Sequence, residues 1–406
     1  MSGARLPTLS ISVLGLLTIL AYGSWFYGFG VILDDIAAEF DSGVGRLALG
    51  YALAQISTGF LGMAAGRALD RRGAGAPLAV GLVFGPSLLF ASSFAQDPLW
   101  FSVAFGIGGG AVGATCFYHL TQTIVSRLAP GREALSIARL TVWGAFSSPI
   151  LLPLTELSRS EFGWRTTIRF SAALVALAMV LALFVLGKSG ATAAERPSTS
   201  SLAALRRAWR RRSVRWFTAS SMLASFGAST LMVLQIPAMV DNGVDRGAAA
   251  NLAGGRGLAQ LLGRLPLGRL LAAAPATRLA GVARTLVALG AVILAVTDRV
   301  WIGIVFVVLA GIGIGASSPL EGIVSRQILP ADDLGTLMGS LHLVGGITSG
   351  LGPLISGLLV DATDAKWSGL TLAAALCAMS ALIMFFVPWG EPAVVDESSS
   401  TSSTVQ

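Results

Sequence analysis

The stretch Gly255-Arg256-Gly257-Leu258-Ala259-Gln260-Leu261-Leu262-Gly263-Arg264-Leu265-Pro266-Leu267-Gly268 lies inside an apolar run from about Ala248 to Ala274. A run of this length can cross a bilayer as a helix, which takes roughly 20 residues. Arg256, Gln260 and Arg264 recur every four residues, so a helix puts them on one face. A guanidinium near the centre of a membrane helix costs about 2.5–3.5 kcal/mol or more. Two on one face therefore point to a protein interior or a water-filled cavity, and an anion pathway is the expected role of this face. The alternative is that Arg264 snorkels to the inner interface and Arg256 to the outer one.

The rest of the chain agrees with a membrane setting. Of its 406 residues, 54% are hydrophobic and 12% charged, against about 25% charged in a soluble domain. Mean hydropathy is +0.75 and the pI is about 10.2. A net charge of +7 can signal nucleic acid. Here most basic residues sit in short loops between apolar runs, so the bilayer is the expected partner and nucleic acid is not. Cys116 and Cys377 both fall inside apolar runs, and neither a disulfide framework nor a metal site is implied. The first apolar run is too long for a signal-peptide core and has no A-x-A site after it, so it reads as a retained helix.

Apolar runs broken by charge or Gly/Pro clusters predict twelve transmembrane helices, an all-α membrane protein. Their approximate centres are Tyr22, Ile56, Phe84, Gly113, Val142 and Val175, then Leu231, Gln260, Val287, Gly313, Gly346 and Ala375. The predicted units are a six-helix bundle over 1–187, a basic linker over 188–213, a second bundle over 214–390 and a disordered tail over 391–406. The linker run Arg206-Arg207-Ala208-Trp209-Arg210-Arg211-Arg212 is expected to lie on anionic headgroups. A regulatory or partner-binding helix is the alternative.

Alternate connections carry arginines: Arg67, Arg71, Arg72; Arg127, Arg132; the linker; Arg269, Arg278; Arg326. The others are richer in acids, including Asp34, Asp35, Glu39, Asp97, Asp241, Asp298 and Asp361, although Arg46 and Arg246 fall among them. Basic loops stay inside, which predicts cytoplasmic termini in a cell (inner) membrane.

The halves echo each other. Thr123-Ile124-Val125-Ser126-Arg127-Leu128-Ala129-Pro130 parallels Gly322-Ile323-Val324-Ser325-Arg326-Gln327-Ile328-Leu329-Pro330. Each follows a glycine-rich helix and precedes a helix with a proline, Pro153 or Pro353, then a tryptophan, Trp164 or Trp367. Two pseudo-symmetric six-helix bundles are a common build for a secondary transporter that holds substrate between its halves.

Gly66-Arg67-Ala68-Leu69-Asp70-Arg71-Arg72-Gly73, between the second and third spans, resembles the cytoplasmic loop motif of the major facilitator superfamily. Gly66 and Gly73 would allow a tight turn. Asp70, beside Arg71, could hold a facing helix end or an arginine across the half-interface, a contact that breaks when the inner gate opens. The second-half loop Gly268-Arg269-Leu270-Leu271-Ala272 lacks the aspartate, and Glu321 is the candidate partner for Arg269.

Within that superfamily, several segments resemble the monocarboxylate transporter and oxalate/formate antiporter branch. They are Phe29-Gly30-Val31 with Glu39-Phe40, Leu135-Ser136-Ile137-Ala138, Phe162-Gly163-Trp164-Arg165 and Gly263-Arg264-Leu265-Pro266-Leu267-Gly268. The resemblance implies a secondary active transporter, working by alternating access and as a monomer, for a small organic mono- or dicarboxylate. It implies that Arg264 faces the substrate carboxylate, whose shape suits a guanidinium fork. The family aspartate four residues earlier is Gln260 here, which cannot titrate. Tyr118 matches a substrate-facing tyrosine, and Tyr27 stands near an absent first-helix lysine. His342 lies where the branch places a polar or basic residue, and histidine can exchange a proton near neutral pH. Anion and proton are then the expected cargo, with His342 in coupling. A neutral His342 bonded to a backbone carbonyl, and exchange without protons, is the alternative.

Other intramembrane polar residues carry weaker expectations. Arg284 is expected to snorkel from a peripheral helix, and Arg139 could line the inner vestibule. Gln235 and Asn251 are expected in packing or gating, and His119 in structure. Tyr22, Trp25, Phe26, Tyr27 and Phe29 are expected to pack helices.

No G-x-x-x-x-G-K-[ST] loop occurs, which argues against a primary pump. No cofactor is expected. A proton-driven exporter of drugs or metabolites is the rival transport reading, weakened by the lack of an acid deep in the first-half helices. An enzyme would need converging acid/base or metal residues, and a sensor would need a soluble output domain; neither is visible.

Overall fold

A computed structural model describes residues 8–186, 201–329, 334–387 and 389. The tail at 391–406 and the first part of the linker, 188–200, lie outside the described residues. The described residues are mostly helical.

The first crossing combines α1 (Thr8–Ala21), a π-helical turn at Tyr22–Tyr27 and α2 (Phe29–Glu39). The second and third are α3 (Val44–Arg72) and α4 (Gly75–Ser92). The fourth is broken into α5 (Pro98–Cys116) and α6 (Tyr118–Leu128). The fifth is α7 (Glu133–Ala145) with the first part of α8 (Ser147–Leu186). Gly163, at φ 76°, divides α8, and its second part is the sixth crossing. After α9 (Ser201–Trp209) in the linker, the second half runs α10 (Arg212–Asp241), then α11 (Arg246–Arg264) with α12 (Leu267–Ala273). It continues through α13 (Ala276–Ala295), α14 (Val300–Ile328), α15 (Leu334–Thr363) and α16 (Lys366–Phe386).

Ten described segments are long and apolar enough to span by themselves. One of them, 52 residues long, is two crossings joined at Gly163. The remaining crossing is α11 with α12, whose arginines and glutamine lower its hydropathy. The fold therefore has twelve membrane helices in two repeated halves.

Local chemistry sets the boundaries. Asp97 caps α5 by accepting from the backbone N–H groups of Leu99 and Trp100, with Pro98 at the first helical position. Asp245 caps α11 through Ala248. Pro266 lacks an N–H and so cannot continue the α11 hydrogen-bond ladder, which separates α11 from α12. Gly73, at φ 76°, closes α3. Gly66 to Arg72 are thus helical rather than loop, and only Gly73 makes the turn; a Cβ at Gly66 would meet nothing.

Small residues decide how closely the helices approach, as expected where lipid removes the hydrophobic drive between them. A Cβ at Gly315 of α14 would collide with the Gln260 backbone of α11. That contact holds the Arg256–Arg264 helix against the tenth crossing. The Phe162-Gly163-Trp164-Arg165 segment also gains a physical account. Arg165 bonds Glu39 at 2.6 Å and the carbonyls of Ser93 and Ala95, while Trp164 donates to Glu39 at 2.5 Å. It ties the first, third and sixth crossings together at the acidic-loop end.

The halves meet mainly along three pairs, α3 with α15, α8 with α11, and α2 with α10. At the acidic-loop end Gly45 and Gly357 bring two backbones together, and the Gly45 N–H donates to Asp361 at 2.9 Å. At mid-depth Gln55 donates to Ser349 at 2.5 Å.

A candidate anion-binding cavity between the halves

Between the halves lies a cavity of about 290 Å³. The first half contributes Tyr22, Phe26, Tyr27 and Tyr118, and the second contributes Gln260 and Arg264. Hydroxyls come from Ser148, Ser225, Ser229, Ser318 and Ser349. No carboxylate is among the described lining residues.

Local irregularity creates this surface. The π turn at Tyr22–Tyr27 rotates three ring-bearing side chains toward the cavity, a common use of such turns. The break at Phe117, whose backbone is extended, starts α6 at Tyr118 and presents that ring. Tyr22 stacks on Phe117 with centroids 3.8 Å apart, and the Tyr118 hydroxyl donates to the Thr141 carbonyl at 3.3 Å. The five first-crossing aromatics are therefore not equivalent. Trp25 and Phe29 are fully buried in the core, as packing predicts, while Tyr22, Phe26 and Tyr27 line the cavity.

Arg264 reaches the cavity rather than the membrane interface. Its Nε donates to the Gly315 carbonyl and its Nη2 to Gln260 Oε1, each at 3.3 Å. Both acceptors are neutral, so the guanidinium keeps its charge available to a ligand. Arg256 goes elsewhere. It is 1% exposed, its Nε donates to Gln235 at 2.9 Å, and its Nη1 and Nη2 have no hydrogen-bond partner among the described residues. Tyr27 lines the cavity with Arg264, whereas Arg256 does not. Gln235 thus holds an arginine, whereas Asn251 is exposed.

His342 is not in this cavity. It lines an adjoining chamber of about 340 Å³ with Gln55, Glu321 and Met338, nearer the basic-loop end. The chamber shares Ser225, Ser318 and Ser349 with the cavity, so the two adjoin. His342 Nδ1 lies 2.8 Å from the Met338 carbonyl, the backbone partner of the alternative reading. His119 Nε2 lies 3.1 Å from the Ala114 carbonyl.

Four expectations need correction. Arg284 does not snorkel: it is 4% exposed, bonds the Ser220 hydroxyl and faces Glu321 and Cys377 in a side chamber. Its helix is peripheral, but the side chain points to the bundle interior. Glu321 accordingly sits near Arg284 and forms no ion pair with Arg269 among the described residues. Arg139 lines a groove between α1 and α7, with Thr8 and Trp143, not the vestibule. Asp70 does find an arginine, Arg127 at 2.5 Å, but within its own half rather than across the interface. Arg71 beside it is exposed.

Sequence reasoning missed the contact that closes the acidic-loop end. Asp34 accepts from Arg246 at 2.8 Å and from Lys366 at 3.1 Å, and Lys366 also reaches Asp241 at 2.8 Å. The one signal available was Arg246 itself, a cation on the wrong side of the charge rule.

The model of the Major Facilitator Superfamily matches residues 14–239 and 217–404. No curated protein matches the sequence. Among solved structures, the chain is similar to a bacterial homologue of the human lysosomal transporter Spinster in an inward-facing, unoccupied conformation. That similarity has a TM-score of 0.76 at 14% identity over 95% of this chain and 97% of that one. The nucleoside transporter NupG gives 0.74 at 18% identity, over 94% and 99%. A POT family transporter in complex with 5-aminolevulinic acid gives 0.71 at 14%, over 92% and 95%. The identities are too low to carry a substrate across, and the monocarboxylate branch finds no support among them. The fold, the duplicated halves and the family model agree: the chain belongs to the major facilitator superfamily.

Proposed function

We propose that this secondary transporter moves a small organic anion, a mono- or dicarboxylate, across the cell membrane by alternating access, with Arg264 as the anchor. The observation that carries the reading is the charge of the cavity: among the described residues the Arg264 guanidinium bonds neutral acceptors and no carboxylate lines the wall. A planar fork of donors matches a carboxylate bidentately. Tyr27, Tyr118 and the cavity serines supply hydroxyls for the rest of the ligand, and Gln260 holds the Arg264 head in place. Arg256, about two turns nearer the sealed end, is buried behind the cavity wall and adds positive potential to the site without lining it.

Placing the basic loops in the cytoplasm puts both termini inside and makes this conformation inward-facing. The seal at Asp34 then closes the outside, and the His342 chamber is the exit toward the cytoplasm. Substrate released through it passes His342, which is where proton coupling would act.

A thermal-shift screen of the purified protein against carboxylates tests the proposal, because a ligand that binds the folded state stabilises it by RT ln(1 + [L]/Kd). Carboxylates should raise Tm in wild type and not in Arg264→Ala. Stabilisation by nucleosides alone, or an equal carboxylate response in Arg264→Ala, would remove the anion reading.

A further inference from the structure

At the basic-loop end, a groove of about 880 Å³ runs between α9, the start of α10 and the start of α15. Its walls are apolar: Leu205, Val214, Leu337, Leu341 and Val344. Its rim is cationic, with Arg206 and Arg210 beside α9 and Arg215 on α10, all exposed. Among the described residues no carboxylate lines it. Trp209, 48% exposed, stands at the same rim, where an amphipathic ring suits the headgroup level.

We propose that this groove is a binding site for one anionic phospholipid, with its phosphate against Arg206, Arg210 and Arg215 and an acyl chain along the apolar wall. Charge and shape choose the ligand together. A free anion has no use for the apolar wall, and a neutral lipid has no use for three guanidiniums. Basic pockets at the cytoplasmic side of membrane helices favour anionic headgroups. The site goes beyond a linker merely resting on the surface, because the chain enters between helices.

Its position gives the lipid a lever. The Leu341–Val344 turn of α15 lines the groove on one face and the His342 chamber on the other. Leu343, in the same turn, packs over Gly59 of α3 in the opposite half. A lipid in the groove braces the turn on which the halves approach each other at this end. The proposal does not depend on the identity of the transported substrate.

The test uses the purified full chain in mild detergent, with phosphatidylglycerol, phosphatidylcholine and inorganic phosphate as probes and native mass spectrometry and thermal shift as readouts. Phosphatidylglycerol should be retained at least ten-fold better than phosphatidylcholine. Neutralising the rim with Arg206→Gln, Arg210→Gln and Arg215→Gln should erase that preference, by on the order of five-fold per arginine. Val344→Trp fills the groove and should lower phosphatidylglycerol retention with all three arginines present. Equal retention of the two lipids by wild type overturns the proposal, as does a preference unchanged by both the rim and the groove variants. Stabilisation by inorganic phosphate equal to that by phosphatidylglycerol also overturns it, in favour of a free-anion site. If the triple variant does not fold, the wild-type comparison and Val344→Trp still decide.

Discussion

The Asp34 carboxylate accepts a hydrogen bond from the Arg246 guanidinium at 2.8 Å, joining the middle of α2 in one half to the start of α11 in the other. Lys366 adds a second cation to the same carboxylate from α16. Both pairs are partly shielded, with Asp34 24% exposed. The whole junction must come apart for the acidic-loop end to open.

Asp34→Asn should therefore shift the carrier toward the conformation open at that end. A partly exposed pair is worth about 1 kcal/mol, which is roughly a five-fold change in population. The measurement is labelling of Ser229→Cys by an impermeant reagent from the acidic-loop side, in a chain lacking Cys116 and Cys377. An unchanged labelling rate would assign the seal to backbone packing at Gly45 and Gly357 instead.

Asp70→Asn should behave differently. Its partner Arg127 belongs to the same half, and Asp70 is 52% exposed. The expected cost is less than about 1 kcal/mol of stability, with little change in Ser229→Cys labelling. A labelling shift as large as that of Asp34→Asn would mean that Asp70 crosses the interface in the other conformation.

Arg264→Lys should abolish carboxylate uptake in proteoliposomes while leaving folding intact. Lysine keeps the charge but loses the two-pronged geometry, and its ammonium cannot donate to Gly315 and Gln260 while presenting a planar fork to a ligand. Uptake at the wild-type rate would reduce Arg264 to a source of positive potential.

Gly315→Val should lower Tm, because the added side chain drives α14 away from the Gln260 backbone; overpacking of this kind costs about 1–3 kcal/mol. Gly322→Ala, on the same helix with open space at its Cβ, should be neutral or gain about 0.5–1 kcal/mol. Equal effects of the two substitutions would disprove the close α11–α14 approach.

For coupling, a pH dependence of uptake in wild type should be lost in His342→Gln, because His342 lines the chamber adjoining the cavity. Gln260 cannot substitute for it. A profile flat in wild type, or untouched by the substitution, would leave anion exchange without protons.

Hydropathy and charge in the sequence were enough to determine twelve crossings, the duplicated halves and the alternation of basic and acidic loops. These are local properties: every backbone group in lipid must bond within its own helix, so length and polarity alone decide which segments cross. The spacing of Arg256, Gln260 and Arg264 also determined a shared helical face. What a face meets is another matter, because the rotation of a membrane helix is set by the helices packed against it. Arg264 and Arg284 look alike in sequence, yet one lines the central cavity and the other is buried against Ser220. Arg256 shares the Arg264 face but is enclosed by Gln235. Asp70 turned out to bond within its half and Asp34 across the halves, although both are helical aspartates near clustered charges. Only the tertiary structure could separate them, since each contact joins residues far apart in the chain whose meeting depends on how the two bundles dock.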